Sequence, residues 1–202
     1  MTVPPSVTQM IRTSTIAAVV TDPRLPDNPI IACNDAFVQL TGYAREEILG
    51  RNCRFLRGEQ TEPDLAARLH DAIAEARPVM VEILNYRKDG SAFRNAVMVA
   101  PIHDEAGALA YFLGSQIEVP DEGARPAPAP HTREAARARI EALSPRQRQI
   151  LLEMAAGRLN KQIAFALGLS ERTVKMHRAV MFRELGVRTS ADAIRVAVEA
   201  GF

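Results

Sequence analysis

The sequence predicts an α+β domain built on a five-stranded antiparallel sheet, followed by an all-α region of four helices. Three observations predict it. Residues 16–119 alternate strand-like runs with short helical pieces and end in three long strand candidates in succession. Residues 120–131, PDEGARPAPAPH, carry four prolines and a glycine among alanines, a composition that resists packing and reads as an extended linker. Behind it, apolar residues recur at three- and four-residue steps between capping signals, the pattern of short amphipathic helices.

Taken in order, TIAAVVTD (15–22) and PIIACN (29–34) read as strands separated by the turn PRLPDNP. DAFVQLTGY and REEILG are helical pieces that stop at glycines. Residues 63–77 open with Pro63 and place Leu65, Leu69 and Ile73 at four-residue steps, predicting an amphipathic helix. Strand candidates follow at 79–88, 92–102 and 109–119, joined by the tight turns KDGS and DEAG as in a meander. Alternation sets Asn85, Asn95 and Gln116 on one face with Val81, Ile83, Phe93, Val97, Val99 and Phe112. The opposite face takes Leu84, Ala96, Met98, Tyr111, Leu113, Ile117 and Val119. Both faces are apolar, so neither suits open solvent. One must enclose something that satisfies three carboxamides, and protein must cover the other.

Thr132–Leu143 is rich in Ala, Arg and Glu and predicts a short connecting helix. Ser144-Pro145-Arg146-Gln147 is a capping box, after which Ile150, Leu151 and Met154 form an apolar stripe. A second helix covers about 160–167, and GLS turns into a third, ERTVKMHRAVMFREL, with Ser170 as its cap. The third buries Val174, His177, Met181 and Leu185 and turns Arg172, Thr173, Lys175, Met176, Arg178 and Ala179 outward. A helix, a short glycine turn and a helix with basic and small polar residues near its start form a helix-turn-helix pattern. The last helix, SADAIRVAVEA, is apolar on more than one side through Ile194, Val196, Ala197 and Val198. This gives four units: an N-terminal extension 1–15, a sensor-type domain 16–119, a linker and short helix 120–143, and a helical domain 144–202.

Charge divides the same way. Residues 1–119 hold 11 Lys/Arg against 15 Asp/Glu, and residues 120–202 hold 14 against nine, as when a nucleic-acid-binding module is attached to something else. Two cysteines, Cys33 and Cys53, make no disulfide framework and no metal-ligand spacing. With no signal-peptide pattern and no membrane-length apolar run, the expectation is a cytoplasmic protein with free thiols and no membrane partner.

The stretch GRNCRFLRG (50–58), with TDPRLPDNPII, NDAFVQLTGY, LNYRKDGSAFRNAVMVAPI and YFLGSQIEV, resembles a LOV (light–oxygen–voltage) domain, the flavin-binding branch of the PAS fold. The resemblance covers about residues 16–119 and implies bound FMN, with Cys53 as the nucleophile whose sulfur bonds reversibly to flavin carbon 4a under blue light while N5 is protonated. It also implies that Asn85 and Asn95 hold the pyrimidine edge and that Gln116 meets N5. Thr21, Leu56, Val97 and Phe112 then lie about the ring, and Asn52 and Arg54 touch the ribityl and phosphate. Cys33 has no such role and reads as packing. Two positions depart from the plant-type pattern: Arg57 stands where a glutamine is usual, and His70 where a second phosphate-binding arginine is usual. The expectation is that Arg57 restores the cation that His70 weakens; the alternative is that Arg57 is a solvated surface residue and that Arg68 or His70 reaches the phosphate.

The string LSPRQRQILLEMAAGRLNKQIAFALGLSERTVKMHRAVMFRELGV resembles a LuxR-type DNA-binding domain. That resemblance implies double-stranded DNA as partner, with Arg172, Thr173, Lys175, Met176 and Arg178 in the major groove and Asn160 and Lys161 on the backbone. The expected whole is a blue-light-regulated transcription factor and not an enzyme. It is monomeric in the dark, with the last helix on the outer sheet face, and homodimeric when lit. A flavin-bound redox or ligand sensor working without photochemistry stays open as the alternative.

Overall fold

The structure, a computed structural model, describes residues 8–119 and 130–202, with side chains in the second stretch from Arg133 onward. Of the expected linker over 120–131, residues 120–129 lie outside the described residues, and Pro130 and His131 already belong to the connecting helix, expected to start at Thr132. Strands β1 (Ala17–Thr21) and β2 (Ile30–Cys33) are followed by helices α1 (Asp35–Thr41) and α2 (Arg45–Ile48), a 3-10 turn at Cys53–Leu56 and helix α3 (Pro63–Ala74). Strands β3 (Val79–Tyr86), β4 (Ala92–His103) and β5 (Leu109–Val119) complete one antiparallel sheet in the order β2-β1-β5-β4-β3. The meander β3-β4-β5 is local, and β1 is placed against its far edge, with Ala17 opposite Gln116 and Thr21 opposite Phe112. The register opposes Ile83 to Asn95 and Val97 to Gln116, so the three carboxamides share a face as the alternation requires.

Local chemistry fixes the helix ends. Asn34 caps α1 by accepting from Phe37 N–H, and Gly42 closes it at a left-handed φ of 74°. The helix predicted over 63–77 ends at Ala74, where Ala76 takes φ of 49° and the chain turns into β3. Leu65 and Leu69 pack it on the sheet beside Val97 and Val99.

The second region comprises α4 (Pro130–Glu141), α5 (Pro145–Ala155), α6 (Asn160–Leu167), α7 (Glu171–Glu184) and α8 (Ser190–Ala200). The predicted capping box at Ser144–Gln147 is present. Ser170 caps α7 by accepting from Thr173 N–H, and Thr189 caps α8. In α7, Val174 and Met181 are buried as expected, as is Leu185 at its C-cap, whereas His177 is only half-buried.

The two regions share a core. Ala18, Val20, Met98, Ala100, Ile102 and Leu113 of the outer sheet face form one cluster with Ile150, Met154, Ile163, Met181 and Ile194 of the helices. Burying each such aliphatic chain contributes roughly 1.5–3 kcal/mol. Helix α8 lies against β3, β4 and β5 while α4 and α5 pack on its other sides. Enclosure on all these sides accounts for its apolar surplus: Ile194, Val196 and Ala197 are buried and Val198 packs against the cluster. The cover is incomplete, contrary to expectation, because Ile117 near the end of β5 remains 36% exposed. The N-terminal extension also enters this core. Ile11 is buried in it, Asn34 donates to the Ile11 and Ile16 carbonyls, and Ser14 Oγ donates to Asp192 Oδ1 at 2.5 Å.

Candidate functional site

A cavity of about 780 Å³ lies between the inner sheet face, α3, the 3-10 turn and the loop joining β1 to β2. Thr21, Asn52, Cys53, Arg54, Leu56, Arg57, His70, Asn85, Asn95, Val97, Phe112 and Gln116 all line it. Its inner end is polar on an apolar frame. Asn95 Nδ2 donates to Asn85 Oδ1 at 2.9 Å, and Asn85 Nδ2 donates to the Leu84 carbonyl. Four buried oxygens are left without a partner among the described residues: Thr21 Oγ1, Asn28 Oδ1, Asn95 Oδ1 and Gln116 Oε1. All four residues line the cavity. Orphaned acceptors of this kind each cost about 1–3 kcal/mol, so their clustering on one void points to a bound donor-bearing group. Gly114 keeps the floor open between Thr21 and Gln116, since a Cβ there would come within 2.9 Å of Val19 Cγ2.

Asn28 was not anticipated. It sits in the β1–β2 turn beside Asp27, and both adopt positive φ, 46° and 71°. Asn and Asp tolerate this region better than other side chains, and the DN pair is the signal that could have marked the turn as special.

Cys53 begins the 3-10 turn. Asn52 caps that turn, accepting from Arg54 N–H at 3.1 Å and donating to the Asp27 carbonyl at 2.7 Å. Burial pushes the Cys53 thiol up to about 12, so at neutral pH it carries its proton. Cys33 ends β2 opposite Val19 of β1 and packs in the same cluster, its thiol likewise raised by burial. At the mouth, Arg54 pairs with Asp27, while Arg57 and His70 are exposed. Arg54 lies within the 3-10 turn and Arg57 follows it in extended conformation, and both line the cavity. Arg68 does not line the cavity.

The helical region presents the second set of candidate residues. Arg172, Lys175 and Met176 are exposed on α7 and Thr173 is half-exposed. Arg178 does not face outward as expected: it is half-buried, donates to Asn160 and to Ser190 Oγ at 2.6 Å, and its pKa is lowered by burial. The helix period alone set it on the outer face, but the start of α8 folds over that side of α7. Lys161 Nζ pairs with Glu105 on the β4–β5 turn at 2.8 Å.

Between the two regions lies a residue that helix periodicity alone does not mark. Arg195, 3% exposed in the middle of α8, donates through Nη1 to Ser115 Oγ at 2.8 Å and to the Ala96 and Ser115 carbonyls. Its Nε donates to Glu199 one turn on at 2.8 Å. Ser115 and Gln116 are neighbours on β5 and point to opposite faces, so Arg195 sits directly across the strand from a cavity amide. The signal available was an arginine flanked by Ala193, Ile194, Val196 and Ala197 in the last helix.

Among the described residues no helix is long and apolar enough to cross a membrane, and no cluster of His, Cys, Asp and Glu could hold a metal ion.

Comparison with known proteins finds relatives of both regions. The PAS domain family matches residues 17–119, and the luxR family of bacterial regulatory proteins matches residues 141–197. The chain is 53% identical over 106 residues to blue-light-activated histidine kinase 1 of Erythrobacter litoralis, covering 52% of this chain and 29% of the kinase. It is 48% identical over 103 residues to phototropin-2 of Oryza sativa subsp. japonica, covering 51% and 11%. It thus spans about a third or less of the curated relatives it matches. Among solved structures, the dark structure of the blue-light photoreceptor Aureochrome1 LOV is 42% identical with a TM-score of 0.52, covering 52% of this chain and 77% of that one. An RNA-binding light–oxygen–voltage receptor is 38% identical with a TM-score of 0.53, covering 58% and 33%. The cavity with its facing amides and thiol thus sits in a fold shared with blue-light receptors, and the chain belongs to the PAS domain family, as a light–oxygen–voltage domain joined to a luxR-type helix-turn-helix domain.

Proposed function

We propose that the chain is a blue-light-regulated transcription factor of the cytoplasm, without enzymatic turnover of its own, that holds FMN in the 780 Å³ cavity and binds double-stranded DNA through α6 and α7. One observation carries the proposal: a void bearing the Cys53 thiol and four orphaned buried oxygens lies on strands whose reverse faces pack against the helical region.

Asn85, Asn95, Thr21 and Asn28 offer the polar groups that hold the flavin edge, and Leu56, Val97 and Phe112 give its ring apolar walls. Asn52, Arg54, Arg57 and His70 at the mouth hold the ribityl chain and phosphate. When bound, the flavin supplies blue-light absorption and a carbon, 4a, that takes a sulfur while its N5 takes a proton. Cys53, which lines the cavity, would supply both the sulfur and the proton and would take both back in the dark. Because burial holds the thiol up to about 12, it enters the step with the proton it must give. Gln116, whose Oε1 is unpartnered at the cavity wall, would then meet a donor in place of an acceptor, and its amide would turn over to match. The exchange involves one buried polar bond, about 1–3 kcal/mol, enough to bias a two-state equilibrium.

That change reaches β5 beside Ser115, where Arg195 of α8 is held. Weakening this contact frees α8 to pair with a second copy, and paired helix-turn-helix domains read two half-sites. Purified protein is expected to be yellow, to bleach reversibly under blue light, and to shift from monomer to dimer with a gain in DNA affinity. Unchanged sedimentation and affinity on bleaching would end the release scheme. Yellow protein that never bleaches would favour a redox or ligand sensor instead.

A further expectation concerns the mouth. If Arg57 supplies the phosphate cation, Arg57→Ala is expected to lose flavin on dilution and gel filtration more than His70→Ala does. Equal retention of flavin by Arg57→Ala and the unaltered chain would reject that role for Arg57.

A further inference from the structure

The β4–β5 turn of the sensor carries two consecutive acids, Asp104 and Glu105, and both meet the start of α6. Glu105 Oε2 pairs with Lys161 Nζ at 2.8 Å, and the Asp104 carbonyl accepts from Gln162 Nε2 at 2.6 Å. The turn is braced from within, because Asp104 Oδ1 accepts from Ala106 N–H at 2.9 Å and from Ala108 N–H at 3.0 Å. It is also braced from outside: His103 N–H donates to the Gly157 carbonyl at 2.9 Å. Gly157 takes φ of 81°, and a Cβ there would collide with the Pro101 carbonyl, so the two backbones meet as closely as they can. Gln162 is itself positioned, since its Oε1 accepts from Leu159 N–H at 2.8 Å. A carboxylate and a carbonyl therefore occupy an ammonium and an amide donor on the helix that the DNA-binding reading sets against the phosphate backbone.

We propose that this acidic turn and a DNA phosphodiester are rival ligands for Lys161 and Gln162, so that the docked sensor masks part of the DNA contact directly and separately from its hold on α8. The inference rests on the DNA-binding reading above. The ligand chemistry is the same in both cases, anionic or carbonyl oxygen on an ammonium and an amide N–H. Lys161 is held above its usual range by Glu105, the response of an ammonium with a carboxylate for a neighbour. The pair is open to water, with side chains 66% and 68% exposed, so its effect is modest and sensitive to salt.

The test is dark binding of the full chain to a random-sequence duplex at low salt, for Glu105→Gln, Lys161→Gln and the double variant. Glu105→Gln is expected to raise dark affinity about 1.5- to 5-fold, the range for an exposed pair. It should do so with sedimentation unchanged, and the gain should vanish when Lys161 is already glutamine. Unaltered dark affinity in Glu105→Gln overturns the proposal. A gain that survives in the Lys161→Gln background overturns it too, as does a gain that appears only with dimer formation. The underlying reading fails differently: illuminated unaltered protein would then bind no duplex, before any variant is made.

Discussion

Arg195→Met is expected to leave the protein largely undocked in the dark, with a monomer–dimer distribution and DNA affinity close to those of the illuminated chain. Methionine keeps most of the apolar stem and removes every donor. Lost with it are the bond to Ser115 Oγ, the contacts to the Ala96 and Ser115 carbonyls, and the charge that balances Glu199, itself only 19% exposed. Breaking a buried ion pair by deleting one partner costs about 3–5 kcal/mol, mostly because the remaining charge is stranded. Undocking lets Glu199 reach water and relieves that cost, so the penalty falls on the docked state alone. A 3 kcal/mol bias changes the docked-to-undocked ratio by roughly two orders of magnitude. The same reasoning predicts a rescue: Arg195→Met with Glu199→Leu strands no charge and is expected to recover much of the docking. Protection of α8 amides against hydrogen exchange in the dark reads both variants. Wild-type protection in Arg195→Met would show that apolar packing alone holds the helix.

Asn85, Asn95 and Gln116 were legible because strand alternation is strict: a period of two cannot place a residue on the wrong face unless the register slips. Cys53, with its flanking Asn52 and Arg54, was legible from its setting among several motifs in order. Arg178 and Arg195 were not, for one physical reason. A helix period says which residues share a side but not how many sides are covered, and α8 is enclosed by the sheet, α4 and α5 together. Arg195 would face solvent on an ordinary amphipathic helix; here the sheet's outer face supplies its acceptors from residues 80 and 99 positions earlier. Asn28 escaped because a turn at positive φ has no periodicity to read. The extension's share of the core, through Ile11 and Ser14, rests on contacts with Asn34 and Asp192, distant in sequence.

Cys53→Ala separates the light reaction from everything the flavin does by simply being bound. The variant keeps the orphaned acceptors, the apolar walls and the mouth cations, so it is expected to purify yellow with its flavin retained. It has no sulfur to add and no S–H proton to give, so reversible bleaching is expected to be abolished outright, and with it any light-dependent change in dimerisation or DNA affinity. Gln116→Leu makes the complementary cut: it bleaches, because the thiol is intact, but cannot exchange acceptor for donor, so bleaching no longer alters DNA binding. The thiol's protonation gives this chemistry a pH signature. Its pKa lies near 9.0 when unperturbed and is pushed up to about 12 by burial. Between those values the folded chain holds a proton that the unfolded chain has released. Bleaching amplitude is therefore expected to stay level well above pH 9, while the thiol's contribution to folding stability falls as pH rises through that window. A Cys53→Ala protein that still switched its DNA affinity with light would place the trigger on the flavin itself and leave the sulfur outside the pathway.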